Sequence, residues 1–138
     1  MIGITQIWKW LFLGSLYDAE RLAKANPQGI EDVVSLSATR PCNTRQEINY
    51  IHIHVEDEIA IPVDQFNAIM RVIAENIRRG KVLIHCGSGI SRAPVMTAAY
   101  MHSVGYKSLD AALLEIAELR PIIAPSAILL ASVREHLR

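Results

Sequence analysis

Cysteine is nearly missing from this chain: its 138 residues include two, Cys42 and Cys86. Two thiols cannot build a multi-disulfide scaffold, and their scarcity suits a reducing compartment, so a cytoplasmic location is expected. Excess charge is missing too. Lysine plus arginine and aspartate plus glutamate number 14 each, which leaves no electrostatic case for nucleic acid or an anionic membrane as partner. Long apolar runs are absent as well. Lys9 interrupts the patch in MIGITQIWKWLFLGS, no segment approaches bilayer-spanning length, and neither a basic leader nor a cleavage site marks a signal peptide. Repeats, low-complexity tracts and long linkers are also lacking, so residues 1–138 are expected to form one domain.

What is present is a globular composition, 51% apolar and 20% charged, with strand and helix patterns in alternation. WLFLG reads as a strand closed by Gly14. SLYDAERLAKAN follows as a helix with Ser15 in the capping position and Asn26-Pro27 at its end. IEDVVSLS reads as a strand buried on both faces. After the polar loop ATRPCNTRQE, INYIHIHV alternates cleanly, with Ile51, Ile53 and Val55 on one face and Tyr50, His52 and His54 on the other.

From Pro62 to Arg79, apolar residues recur at helical spacing, and Arg78 and Arg79 are expected to face the helix dipole before Gly80. KVLIH is the next strand. SRAPVMTAAYMHSV follows as a helix with Pro94 in its first turn. Ser108 is expected to cap LDAALLEIAELR, which Pro121 ends, and PSAILLASVREHLR forms the last helix. The expected fold is α/β: a central four- to five-stranded, mostly parallel mixed sheet flanked by helices. Trp8 and Trp10 are expected to pack near the first strand.

The chemistry concentrates in KVLIHCGSGISRAP, residues 81–94. A strand, a glycine-rich turn and a helix start aim backbone amides at one point, and the helix adds partial positive charge there, so the turn suits an oxyanion such as phosphate. A nucleotide-binding loop would need lysine and serine or threonine after its last glycine. A dinucleotide fingerprint would need a glycine where Arg92 stands. The distinguishing group is the thiol. In an amide nest beside a guanidinium, Cys86 is expected to favour its thiolate form and to attack the central atom of a bound anion. Arg92 can grip two equatorial oxygens with a bidentate fork.

HCGSGISR resembles the His-Cys-x-x-Gly-x-Ser-Arg signature of the cysteine-dependent protein tyrosine phosphatase superfamily, and more closely of its small dual-specificity branch. The resemblance extends through WLFLGSLYDA, GIEDVVSLS, YIHIHVED, the helix before KVLIHC, and AYM after the loop. It implies in-line attack by Cys86 on phosphorus, a phosphocysteine intermediate, a carboxylic acid that protonates the leaving oxygen, and hydrolysis by water with that carboxylate as base. No metal or cofactor is needed, because Arg92 and the loop residues Gly87, Ser88, Gly89, Ile90 and Ser91 would hold the phosphoryl oxygens.

The resemblance puts the acid just after a strand matching YIHIHV, where Asp57 fits best among Glu56, Asp57, Glu58 and Asp64; as a plain charged run, EDE would only be solvated. By the same resemblance His85 orders the loop, although a satisfied buried histidine is the bland alternative. Two departures stand out. Relatives usually carry serine or threonine after the loop arginine, where this chain has Ala93, which implies slower phosphoenzyme breakdown. They often carry asparagine where Ser126 stands; Ser126 either supports the loop or serves only as a helix cap.

Relatives that act on polyphosphorylated inositol lipids tend to carry lysines at the positions of residues 87–90, so by the resemblance the uncharged residues here count against such substrates. A phosphoprotein carrying phosphotyrosine, and also phosphoserine or phosphothreonine, is the expected substrate; a phosphorylated glycan or small metabolite, or phosphate binding without turnover, are the alternatives. A monomer with no nucleic-acid or membrane partner is expected. Arg40 and Arg45 either meet an acidic substrate or are simply solvated. His52 and His54 share a strand face, but no further ligand at metal-binding spacing accompanies them. Cys42 reads as an ordinary loop cysteine, with a resolving thiol for oxidised Cys86 as the alternative.

Overall fold

The structure, a computed structural model, describes residues 2–138. Ten elements run along the chain: β1 Thr5–Trp8, β2 Leu11–Ser15, α1 Leu16–Arg21, β3 Ile30–Ser35, β4 Asn49–His52, α2 Val63–Ile77, β5 Lys81–Cys86, α3 Arg92–Ser103, α4 Leu109–Leu119 and α5 Ala127–His136. The five strands form one sheet in the order β1-β2-β5-β3-β4. Strands β2, β5, β3 and β4 are parallel, and β1 pairs antiparallel with β2. The α/β reading with a mostly parallel mixed sheet holds.

The sheet separates two apolar layers. Leu11, Leu13, Val34, Val82 and Ile84 face a large core shared with Phe66, Ile69 and Ile73 of α2, Val95, Met96 and Ala99 of α3, and residues of α4 and α5. Phe12, Val33 and Leu83, the alternate positions, face a smaller cluster with Ala19 and Leu22 on the α1 side and Ile48. This is the period-2 alternation of strands with both faces covered. Ser15 caps α1 through a reciprocal capping box: its hydroxyl accepts the Asp18 amide while the Asp18 carboxylate accepts the Ser15 amide at 2.9 Å. Ser108 caps α4 as expected, accepting from the Ala111 amide.

Five expectations need correction. Residues before Trp10 also form a strand, β1, whose polar, broken pattern did not mark it as one. Helix α1 ends at Arg21 instead of running to Asn26. Strand β4 ends at His52, although Ile53 and Val55 still donate backbone hydrogen bonds to Ser35 and Leu36. Arg78 and Arg79 lie beyond the last turn of α2, which contains no basic residue. Trp8 packs edge-on against Tyr100 and Tyr106, whereas Trp10 is exposed.

The register sets the site. Cys86 ends β5 level with Ser15 of β2, and His85 pairs with Ser35 of β3. The carboxyl ends of the parallel strands therefore meet at one edge, with β5 inside the sheet and its following turn at the centre of that edge, where open α/β sheets bind ligands.

Candidate active site

The turn from Cys86 to Arg92 becomes a nest because its carbonyls are held away from its centre. The Gly87 carbonyl accepts the Leu16 amide at 3.0 Å, and the Ile90 carbonyl accepts the Ala124 amide at 2.8 Å. The Gly89 carbonyl accepts Nε of Arg120 at 3.0 Å. In a trans peptide the C=O and the next N–H point in opposite directions, and no cis bond occurs among the described residues. Each anchored carbonyl thus turns the amide of Ser88, Ile90 or Ser91 away from its anchor. Turned this way, the amides are free of partners on the anchored side, an orientation that backbone anion nests use. Cys86 is buried, at 1% exposure, and its Sγ accepts the Ala93 amide at 3.4 Å.

Gly89 is required twice over. Its φ is +73°, a left-handed conformation that favours glycine. A Cβ there would also lie 2.6 Å from Nη2 of Arg120 and 2.7 Å from the Gly14 carbonyl oxygen. In the sequence, Arg120 is marked only as the last residue before Pro121. In the fold it is 1% exposed and ties the loop to the first strand, donating from Nη1 to the Gly3 carbonyl and the Thr5 hydroxyl, both at 2.8 Å. Burial pulls its guanidinium below the ordinary arginine value, and the charges of Asp18 and Cys86 act in the opposite direction. The only hint in the sequence is a cation at the end of the amphipathic stretch LDAALLEIAELR.

His85 is fully buried. Its Nδ1 lies 3.1 Å from the Cys86 carbonyl and its Nε2 lies 2.6 Å from the Ser35 hydroxyl. A carbonyl can only accept, so Nδ1 carries the proton and, in neutral histidine, Nε2 accepts from Ser35. Desolvation holds the imidazole below its ordinary value of 6.5, so the neutral form is the folded one. His85 therefore braces the Cys86 backbone from behind the loop. Ser35, distant in sequence, is a partner that no local pattern announced.

The upstream acidic run divides cleanly. Glu56 pairs with His54 at 3.7 Å, and Asp64 lies in the first turn of α2, where a carboxylate offsets the dipole. Asp57 alone reaches the loop: its Oδ1 accepts the Ser91 hydroxyl at 2.9 Å. The turn that aims it contains Glu58 at φ +58°, the single non-glycine residue with positive φ among the described residues. Such strained backbone clusters at functional sites. Arg92 also joins the two segments, donating from Nη1 to the Val55 carbonyl at 3.1 Å.

Ser126 accepts the Leu129 amide with its hydroxyl, which is the cap, while its own amide donates to Ser91 Oγ at 2.8 Å. The Ser126 side chain therefore serves as the helix cap, and its contact with the loop is made by a backbone amide that does not depend on the residue being serine. Arg45 is committed to the Leu22 carbonyl, and Arg40 is exposed. Nε2 of His52 lies 2.7 Å from the Ser37 carbonyl. Cys42 is an exposed free thiol whose amide donates to Glu20. A cavity of about 440 Å³ beside α1, lined by Tyr17, Glu20, Arg21, Ala23, Lys24 and Asn43, contains no residue of the loop.

A buried cysteine at the exit of a central parallel strand, followed by a turn with outward-anchored carbonyls, an arginine and a facing carboxylate, defines a class of α/β domain built around one thiol at a strand–turn–helix junction. The family model "Dual specificity phosphatase, catalytic domain" matches residues 11–138, and the chain belongs to that family. Dual specificity protein phosphatase 1 of Homo sapiens is 32% identical over 127 residues, covering 90% of this chain and 34% of the relative. Dual specificity protein phosphatase 4 of Homo sapiens is 31% identical over 126 residues, covering 90% and 32%. The chain thus spans about a third of the length of these curated relatives.

Among solved structures, DUSP15 has a TM-score of 0.79 at 27% identity, covering 98% of this chain and 85% of that one. The human tyrosine phosphatase-like serine/threonine/tyrosine-interacting protein has a TM-score of 0.86 at 24% identity, covering 97% and 95%; that likeness establishes the fold. No helix among the described residues is long and apolar enough to cross a membrane.

Proposed function

We propose that this chain is a phosphatase domain, residues 1–138, that hydrolyses phosphomonoesters in phosphoproteins through a phosphocysteine, working as a monomer in the cytoplasm. The observation that carries the reading is Cys86 Sγ within a loop whose carbonyls are anchored outward at Gly87, Gly89 and Ile90. Cys86 attacks phosphorus as the P–O bond to the leaving group breaks. The departing electron pair stays on the leaving oxygen, which takes a proton from Asp57. Arg92 and the amides of residues 87–92 hold the equatorial oxygens. Water then attacks the phosphocysteine, giving its proton to Asp57 and releasing phosphate and the Cys86 thiolate.

The names of the curated relatives, protein phosphatases of dual specificity, favour a phosphoprotein as substrate. The test is hydrolysis of para-nitrophenyl phosphate in excess chelator, with and without vanadate, by the wild type and Cys86→Ser. Chelator-resistant, vanadate-sensitive turnover that disappears in Cys86→Ser is expected. Turnover that survives the substitution refutes the proposal.

A further inference from the structure

Ser91 lies beside Arg92 yet does not cap α3: its hydroxyl makes no capping bond to that helix. It is buried, at 8% exposure, and makes two other bonds. Oγ accepts the Ser126 amide at 2.8 Å and donates to Asp57 Oδ1 at 2.9 Å. A hydroxyl has one proton. With the Ser126 amide holding one lone pair of Oγ, that proton is directed to Oδ1. The start of α5, the loop and the acid segment are thereby joined through one oxygen atom. Ala124, whose amide binds the Ile90 carbonyl, fixes the same segment one step earlier.

We infer that Ser91 is the positioning residue for the general acid, and that it sets how well the enzyme cleaves esters with poor leaving groups. This rests on the reading of Asp57 as the acid. Oδ1, occupied as an acceptor, does not carry the transferable proton; the proton rides on Oδ2 and passes from there to the leaving oxygen as the P–O bond breaks. The bond also restricts the rotation of an otherwise exposed carboxyl. A leaving group that is stable as an anion gains little from such placement. A phenoxide or alkoxide needs its proton during bond cleavage, so its departure depends on where Oδ2 sits.

The experiment compares kcat/KM for para-nitrophenyl phosphate and phenyl phosphate in the wild type, Ser91→Ala, Ser91→Thr and Asp57→Asn. Ser91→Ala is expected to lose roughly 10- to 100-fold more on phenyl phosphate than on para-nitrophenyl phosphate, the scale of a misplaced catalytic group. Ser91→Thr, which keeps the hydroxyl, is expected to recover most of the ratio. Because Ser91→Ala keeps the backbone amide of residue 91, vanadate inhibition is expected to weaken far less than turnover of phenyl phosphate, reporting an anion loop that still assembles. In Asp57→Asn, adding Ser91→Ala is expected to leave the substrate ratio where Asp57→Asn alone puts it.

Equal losses on both substrates, together with weakened vanadate inhibition, overturn the inference in favour of a loop-building role. An unchanged ratio in Ser91→Ala, when Asp57→Asn shifts it, overturns the inference alone. An unchanged ratio in Asp57→Asn removes the acid assignment, and the inference with it.

Discussion

At the scale of single residues, the position after Arg92 is where the proposed mechanism separates binding from turnover. Among the described residues Cys86 Sγ accepts one hydrogen bond, from the Ala93 amide, and Ala93 has no hydroxyl to add a second. In the first half-reaction of the proposed phosphocysteine route, the sulfur gives up charge to phosphorus. In the second it must leave as a thiolate, and each missing donor slows that departure. A charge-assisted hydrogen bond is worth about 1.5–3 kcal/mol, so its absence slows the step roughly tenfold or more. Stopped-flow assays with an aryl phosphate are expected to show a burst of the phenol followed by slower steady turnover. Ala93→Ser adds one heavy atom and is expected to raise the steady rate and shrink the burst. An unchanged rate of phosphocysteine breakdown in Ala93→Ser contradicts this account.

At the scale of elements, the segment before α5 does more than begin a helix. The carbonyl of Ile90 and the hydroxyl of Ser91 accept the amides of Ala124 and Ser126 respectively. Where relatives are expected to use an asparagine side chain, this chain braces the loop with backbone, and the two roles of Ser126 can be separated. Ser126→Ala removes the cap on the Leu129 amide and is expected to cost about 1 kcal/mol of stability. Ser126→Pro removes the cap and the amide together, and the native φ of −62° accommodates proline. Thermal melts are expected to show a loss in both variants. Turnover of phenyl phosphate is expected to fall further in Ser126→Pro than in Ser126→Ala; equal turnover in the two argues against the backbone brace.

This division shows what the sequence made legible. Cys86, Arg92 and the loop glycines stand out as candidates because they are consecutive, whereas Asp57 is singled out only by the family resemblance, among four carboxylates that local spacing does not separate. Arg120 and Ser35 act through contacts across long stretches of chain, which no local spacing encodes. Strand β1 was missed for a related reason: TQIW gains its strand state from pairing with β2 and from Trp8 packing on Tyr100.

At the scale of the whole molecule, the sheet edge that assembles the site also buries a titratable group, so stability and acidity are linked. His85 is fully buried and bonded through both ring nitrogens. Desolvation is the largest influence on it and holds it below 6.5; His52 and Arg92 act in the same direction, while the Cys86 carbonyl and Asp18 oppose. In the window between its folded value and 6.5, the unfolded chain binds a proton that the folded chain refuses, so stability rises with pH there. The contribution is complete above about pH 6.5 and is lost as pH falls through the folded value. The midpoint of thermal unfolding is therefore expected to decline as buffers are taken from about pH 7.5 to 5.5, before most carboxylates protonate. His85→Gln keeps a polar side chain but cannot take up that proton, so its midpoint is expected to be lower at neutral pH and flatter across the same interval. Parallel curves for the two proteins place the pH sensitivity elsewhere and break the link between the buried imidazole and the stability of the site.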